Sequence, residues 1–201
     1  MVPIVTIDGP SGSGKGTISK ALAIDLNWNY LDSGLIYRCY AFLHSIGVSD
    51  IAQEINCIKH EYDLGHETIS YKSKNITDDI RGPAITKLSS ELSQLSAVRD
   101  KLTMIQKTYR KEPGLVAEGR DMSSKLSPDS LVKIFLTANI EERVMRRANQ
   151  LRNAGQKVNI SELKKEIELR DSRDTERIHS PLSIVEGAIA VSYTHLTLPT
   201  I

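Results

Sequence analysis

The chain has 201 residues, with 26 Lys and Arg against 25 Asp and Glu, so its formal net charge is only +1. This length is enough to bury a substantial core, and we expect one domain over 1–201. The near-neutral balance argues against a global attraction to nucleic acid polymers or anionic membranes. The apolar runs are too short for a bilayer, and the N-terminus lacks the basic and apolar regions of a signal peptide.

The number of cysteines indicates in which redox compartment the protein acts. Cys39 and Cys57 are too few for a disulfide scaffold, which favours a reducing, cytoplasmic setting. The run Cys57-Ile-Lys-His60 resembles half of a metal site, but no second Cys/His pair completes it. We therefore expect no metal centre built from protein ligands alone.

The segment 4–17 places a β-branched run directly before a glycine-rich loop and a helical pattern. The loop residues are Gly9, Pro10, Ser11, Gly12, Ser13, Gly14, Lys15, Gly16 and Thr17. Glycines let the backbone curl so that successive N–H groups face an anion, and the helix start adds its free N–H groups. The spacing G-x-x-x-x-G-K puts Lys15 within reach of β- and γ-phosphates. The segment predicts a polyphosphate site; an ordinary glycine turn is the plainer alternative.

Between residues 15 and 110 the pattern predicts helices around a polar insert. A helix over 15–27 and a short strand over 28–31 come first. Asp32-Ser33-Gly34 is expected to cap a second helix. Polar alternation within 50–82 indicates short antiparallel strands, and a long helical segment follows over about 84–110.

The second half alternates strands with helices. Strands are expected at 115–117, 132–136 and 188–191, with helices at 140–154 and 161–170. Asn159 and Glu162 suggest a capping box for the last helix. The alternation predicts an α/β fold with a central parallel sheet, helices on both faces, and ligands at the carboxyl ends of the strands.

Two residues at the end of the glycine loop indicate which class of nucleotide-binding protein this is. Gly16 stands where many such loops place a Ser or Thr on magnesium, and Thr17 comes one residue later. The resulting Gly-Lys-Gly-Thr run resembles the nucleoside-monophosphate kinases. A GTPase would also need an Asn-Lys-x-Asp base reader, which this sequence lacks.

Two arginines follow predicted strands. Arg38 lies just past Asp32-Ser33-Gly34, and Arg120 precedes Asp121 after the strand at 115–117. At the carboxyl edge of a sheet, a guanidinium can fork onto a second phosphate group. A solvated helix face for Arg38, and a turn with a surface salt bridge for Arg120, are the alternatives.

Arginines are dense late in the chain. They are Arg143, Arg146, Arg147, Arg152, Arg170, Arg173 and Arg177. On a continuous helix, Arg170, Arg173, Asp174 and Arg177 would share one face. A charged solvent face is the simpler interpretation, but phosphoryl transfer needs such cations, and they could close over nucleotides as a lid.

Taken together, these blocks resemble the bacterial cytidylate (CMP) kinases. The matching blocks are 7–17, 31–38, 98–99, 113–122, 132–136 and 170–174, which run in family order over about 2–191. The resemblance implies a P-loop NTPase fold, with an acceptor-side insert at about 50–90 and an Arg-rich helical lid at about 150–178.

The resemblance also implies site roles. Gly9–Thr17 would hold the ATP phosphates, and the catalytic residues would be Lys15, Arg146, Arg173 and Arg177. The acceptor nucleotide and its phosphate would meet Ser33, Arg38, Arg120 and Arg177. The cytosine edge would meet Ser90, Arg99 and Asp121, with Ser89 or Ser93 as alternatives to Ser90. The sugar would meet Arg170 and Asp174.

The implied reaction transfers the ATP γ-phosphoryl group to CMP, and to dCMP, with Mg²⁺ on the donor. The enzyme is expected to act as a monomer. Two alternatives stay open: a monophosphate kinase of other base preference, and a P-loop module that binds a nucleotide without phosphotransfer.

The sequence departs from the family in two places. Ser123-Ser-Lys-Leu-Ser-Pro128 replaces a Gly and an apolar run after Gly-Arg-Asp-Met. Residues 192–201 have no helical period where the family continues with a final helix. We expect this tail to leave apolar sheet surface exposed and to reduce stability.

Overall fold

The computed structural model describes residues 1–63, 66–153 and 155–192. Contacts divide the chain into two compact units. The sheet unit comprises Met1–Leu31 and the described residues from Tyr109 onward, and the second unit comprises Asp32–Thr108. Of the atypical tail predicted at 192–201, residues 193–201 lie outside the described residues.

Strands and helices alternate along the chain. The strands are β1 (Ile4–Asp8), β2 (Asn29–Asp32), β3 (Ile58–Asp63), β4 (His66–Tyr71), β5 (Lys74–Asn75), β6 (Leu115–Gly119), β7 (Val132–Thr137) and β8 (Ile189–Ser192). The helices are α1 (Lys15–Leu26), α2 (Ser33–Ser45), α3 (Ile51–Glu54), α4 (Thr77–Arg81), α5 (Pro83–Leu92), α6 (Ser96–Lys107), α7 (Ile140–Asn153) and α8 (Ile160–Glu176). No helix in these described ranges is both long and apolar enough to cross a membrane.

A five-stranded sheet of order β2-β6-β1-β7-β8 organises the sheet unit. β1 runs parallel to β6 on one side and to β7 on the other, and β7 runs parallel to β8. Every residue of β1 and β6 is buried, as expected for central strands covered on both faces. The predicted parallel sheet flanked by helices is therefore confirmed.

Glycine is required where β1 passes into α1. A Cβ at Gly9 would lie 2.0 Å from the carbonyl oxygen of Leu136, so no side chain fits between the loop and β7. Gly14 caps α1 with a φ of 82°, a left-handed conformation that L side chains rarely adopt. The loop is therefore held close to the sheet, and α1 begins at Lys15.

The second unit is built on α2 and an antiparallel sheet of order β3-β4-β5. The side chain of Asp32 caps α2 by accepting a hydrogen bond from the Leu35 amide at 2.7 Å. Strands β3 and β4 pair from Ile58 with Tyr71 to Asp63 with His66. The predicted cap and the predicted short strands are both present.

Three sequence-based boundaries were wrong. The helical segment expected over 84–110 is two helices, α5 and α6, separated at residues 93–95. The helix expected over 161–170 begins at Ile160 after the Asn159 cap and extends to Glu176, because no Gly or Pro interrupts it. Arg177 leaves the helix with a φ of −61° and a ψ of 140°, so it does not continue the predicted helical face.

We predict that Gly114→Ala destabilises the sheet unit. A Cβ at Gly114 would lie 2.4 Å from Cδ2 of Trp28, so the ring must shift. Overpacking of this kind costs about 1–3 kcal/mol in the free energy of unfolding, measurable by urea denaturation followed by circular dichroism. The smaller ring of Trp28→Phe should recover part of that loss. Additive losses in the double variant would contradict the steric explanation.

Candidate functional site

Lys15 lies at the centre of the glycine loop. Its side chain is only 6% exposed, and Nζ donates to the Pro10 carbonyl at 2.9 Å and to Ser13 Oγ at 3.4 Å. Burial, together with repulsion by Arg120 and Arg170, lowers its pKa to about 7, against the attraction of Glu118 and Asp174. A buried amine among other cations is poised to accept an anion.

An arginine–aspartate pair joins the end of β6 to α8. Arg120 Nε donates to Asp174 Oδ2 at 2.6 Å, and both side chains are largely buried. Burial alone would raise the pKa of Asp174, but Arg120 and Arg170 hold it below its usual value. Asp174 is therefore an anion in the folded protein, with a carboxylate able to accept hydrogen bonds from hydroxyl groups.

A second such pair stands beside it. Arg177 Nη2 lies 3.7 Å from Asp121 Oδ1, and Arg177 Nε donates to the Ser180 carbonyl at 2.6 Å. Arg177 and Asp121 are both buried. The sheet unit thus pairs four predicted site residues from widely separated motifs, Arg120 with Asp174 and Arg177 with Asp121.

Asp8 fixes the loop that carries Arg120 and Asp121. Its carboxylate accepts hydrogen bonds from the Met122 amide at 2.9 Å, the Ser123 amide at 2.8 Å and Ser123 Oγ at 2.5 Å. Burial raises the pKa of Asp8, while the donors of Ser123 and Met122 pull it down. The Ser123 hydroxyl thus supplies a third donor.

Glu118 explains the glycine that follows Lys15. A Cβ at Gly16 would lie 3.0 Å from Glu118 Oε1, which also accepts a hydrogen bond from the Tyr30 hydroxyl at 2.6 Å. The residue is 7% exposed at the carboxyl end of β6. A hydroxyl side chain at position 16 would crowd this carboxylate.

The second unit contains four other predicted site residues. Ser33 Oγ accepts from Gln106 Nε2 at 3.0 Å, and Arg38 Nη2 lies 3.7 Å from Asp32 Oδ2. Burial would raise the pKa of Asp32, but Arg38 and Arg81 keep it low. Arg99 donates to the Ser93 carbonyl at 3.3 Å and stands over the ring of Tyr37.

Ser90 differs from its neighbours on α5. Ser89 Oγ donates to the Thr86 carbonyl and Ser93 Oγ to the Ser90 carbonyl, each at 2.8 Å. Ser90 Oγ is buried and has no hydrogen-bond partner within the described part of the chain. Buried hydroxyls are normally hydrogen-bonded, so Ser90 is the member of this group that is available to a ligand.

Comparison with known proteins decides the family. A family model described as cytidylate kinase matches residues 5–201. The chain belongs to the cytidylate kinase family. The cytidylate kinase of Stutzerimonas stutzeri (strain A1501) is 42% identical over 98% of this chain and 90% of its own length. The cytidylate kinase of Pseudomonas syringae pv. tomato (strain ATCC BAA-871 / DC3000) is 42% identical over the same shares.

A solved structure supports the fold alone. An uncharacterized protein from Eubacterium ventriosum ATCC 27560 covers 96% of this chain and 90% of its own, with a TM-score of 0.50 and 14% identity. The resemblance to the cytidylate kinases predicted from the sequence is confirmed, and with it the P-loop kinase fold. A module without phosphotransfer is not favoured for a member of the cytidylate kinase family.

Other predicted residues also lie near the loop of this cytidylate kinase family member. Arg146 Nη1 donates to the Gly12 carbonyl and Arg170 Nη1 to Ser11 Oγ, each at 3.3 Å. Arg173 is half-buried on α8. The roles implied for these residues stay predictions.

Sequence reasoning assigned no role to three acids around the site, and it named Arg143 only among the candidate lid arginines. The three acids are Asp8, Glu118 and Asp171, and each of them, like Arg143, makes buried or half-buried polar contacts. Glu118 and Asp171 stand inside the matching blocks 113–122 and 170–174, which was the available signal. For Asp8 the only signal in the sequence was its position at the end of β1.

We predict that ATP binding takes up a proton above neutral pH. With a pKa of about 7, Lys15 is mostly neutral at pH 8 in the free protein. A polyphosphate favours the ammonium form and raises the pKa in the complex, so binding draws on the order of one proton and ATP affinity falls as pH rises above 7.

Calorimetry of MgATP binding at pH 8, in buffers of different ionisation enthalpy, measures this uptake. The matched variant Lys15→Arg stays charged at every working pH, so its binding enthalpy should not depend on the buffer in this way. Equal proton uptake in both proteins would assign the proton to another group.

Proposed function

We propose that this member of the cytidylate kinase family transfers the γ-phosphoryl group of ATP to CMP, and to dCMP, producing ADP and CDP or dCDP. The observation that carries this proposal is the buried Lys15 amine, whose pKa is lowered by burial and by Arg120 and Arg170. Such mutual repulsion among buried cations is relieved by phosphate groups. The choice of CMP as the acceptor nucleotide is supported by the names of the relatives.

The reaction needs positioning and charge neutralisation. An anionic oxygen of the CMP phosphate attacks the γ-phosphorus in line, and the bond from that phosphorus to the β–γ bridging oxygen breaks. Because the attacking oxygen is already anionic, no general base is required. Lys15, Arg146, Arg173 and Arg177 would stabilise the charge that spreads over the transferring group.

Magnesium fits the donor side. Mg²⁺ usually keeps several waters and takes one or two carboxylates together with substrate phosphates. Glu118 offers a buried carboxylate beside Gly16, and its Oε1 is already oriented by Tyr30. Within the described ranges no group of three acidic, His or Cys side chains could hold a metal ion. The ion would neutralise charge on the donor oxygens.

The acceptor assignments follow the family blocks. In the sheet unit we assign Arg120 and Arg177 to the acceptor phosphate, Arg170 and Asp174 to the sugar, and Asp121 to the base. In the second unit we assign Ser33 and Arg38 to the nucleotide, and Ser90 and Arg99 to the cytosine edge. The anionic state of Asp174 supports a role as acceptor for sugar hydroxyls.

We also propose a monomer that acts in the cytoplasm, with the insert at about 50–90 on the acceptor side and the lid at about 150–178. The near-neutral charge and the two cysteines, Cys39 buried and Cys57 exposed, agree with a reducing compartment. Gel filtration with light scattering tests the oligomeric state.

The deciding experiment measures ADP production from ATP with CMP, dCMP, UMP or AMP as acceptor. We expect the highest kcat/KM with CMP and dCMP. Lys15→Ala should lower kcat by about 10²–10³-fold, because a charge that stabilises the transferring group is removed. Lys125→Ala, which changes an exposed lysine outside the loop, should match the wild type.

Three results would contradict the proposal. Preferred turnover of UMP or AMP would reassign the base, and ATP binding without ADP release for any acceptor would indicate a binding module. Retained activity in Lys15→Ala would remove the loop from the mechanism.

We further predict that Ser90→Ala weakens CMP selectively. The unpartnered Oγ is free to bond the cytosine edge, and loss of one such hydrogen bond should raise KM for CMP by about tenfold with KM for ATP unchanged. Ser89→Ala and Ser93→Ala are matched controls, since both hydroxyls already bond backbone carbonyls of α5. An equal effect from either control would move the contact to that serine.

A further inference from the structure

Ser11 of the glycine loop is contacted by both α7 and α8. Its amide donates to Asp171 Oδ1 at 3.2 Å, and its carbonyl accepts from Arg143 Nη1 at 3.0 Å. Arg143 Nη1 also donates to Asp171 Oδ2. The Arg143–Asp171 ion pair therefore binds both the backbone N–H and the backbone carbonyl of Ser11.

Arg143 is a fixed member of this pair. It is 8% exposed, and Nε donates to the Ala138 carbonyl at 3.2 Å. A Cβ at Gly12 would lie 3.3 Å from Arg143 Cβ, so the loop packs directly on the base of this side chain. Because Arg143 is anchored at both ends, the position of Asp171 is defined as well.

The pair is not what joins α8 to α7. An apolar cluster of Val144, Ala148, Leu163 and Ile167 packs these helices together. Asp171 lies one turn beyond Ile167, where the apolar contact has given way to polar side chains. The contact of Asp171 with Ser11 is therefore additional to the packing of the two helices.

We propose that Asp171 is a positioning residue, which with Arg143 fixes the two peptide units on either side of Ser11 so that the loop is preorganised for the phosphates of ATP. The inference rests on the proposed function for the identity of the donor. Loop N–H groups bind phosphate only when their directions converge. Asp171 holds the Pro10–Ser11 peptide by its N–H and Arg143 holds the Ser11–Gly12 peptide by its carbonyl, so neither unit can rotate away. Asp171 itself is not placed on the reacting atoms.

Charge balance gives the pair a distinctive mutational pattern. With Arg143 present, the Asp171 carboxylate is neutralised and does not repel ATP. In Arg143→Ala the carboxylate stays beside the loop without its partner, and like charges repel. Adding Asp171→Ala to Arg143→Ala should therefore recover part of the lost ATP affinity, whereas two independent structural defects would accumulate.

The test compares Asp171→Ala, Asp171→Asn and Glu168→Ala, with Glu168 as an exposed acid on the same helix. Asp171→Ala should raise KM for ATP on the order of tenfold, with KM for CMP changed less than twofold. Asp171→Asn keeps an acceptor for the Ser11 amide, so its KM for ATP should lie between those of Asp171→Ala and the wild type. Glu168→Ala should match the wild type in both constants.

Calorimetric binding of a non-hydrolysable ATP analogue, with thermal melts of each variant, completes the measurement. Unchanged ATP affinity in both Asp171 variants, tighter binding, or equal changes in the two KM values would overturn the proposal. If Asp171→Ala does not fold, Asp171→Asn and the analogue decide. A wild type that phosphorylates no monophosphate would refute the proposed function, while analogue binding would still test Asp171.

Discussion

The burial of Lys15 beside other cations is the constraint on which the rest of the site depends. Removing an ammonium group from water is costly, and repulsion from Arg120 and Arg170 adds to that cost. The surrounding structure keeps the amine in place through the Pro10 carbonyl and through glycines that no other residue could replace. The protein thus stores an unfavourable arrangement that a polyphosphate relieves, which is the electrostatic basis of preorganised catalysis.

Two acidic residues of helix α8 balance the positive charge of the arginines around the site. Asp174 neutralises Arg120, and Asp171 neutralises Arg143 beside Ser11. Each arginine is thereby fixed without being fully satisfied, since a guanidinium has five N–H donors and can still reach a phosphate. The same helix therefore serves the glycine loop with one acid and the end of β6 with another, three residues later on nearly the same face.

Local patterns were enough to predict much of this molecule. The glycine loop, the Asp32 cap and the alternation of strands and helices rest on short-range rules, and these elements formed as expected. The break at residues 93–95 could not be read from composition, because Ser and Gln tolerate a helix as well as a turn. The partner of Asp171 could not be read either, since Ser11 is 160 residues away and only the fold joins them.

Ser123 and Asp8 join two segments of the site. The Ser123 hydroxyl bonds the Asp8 carboxylate, which the Met122 and Ser123 amides already bond. A buried carboxylate with three donors is held more firmly than one with two, because its desolvation is offset by each added hydrogen bond. The loop that carries Arg120 and Asp121 is therefore anchored to the end of β1, one residue before the glycine loop begins. Asp8 thus connects the segment that carries Arg120 with the start of the glycine loop. Asp8 itself contacts neither phosphate group in the proposed reaction.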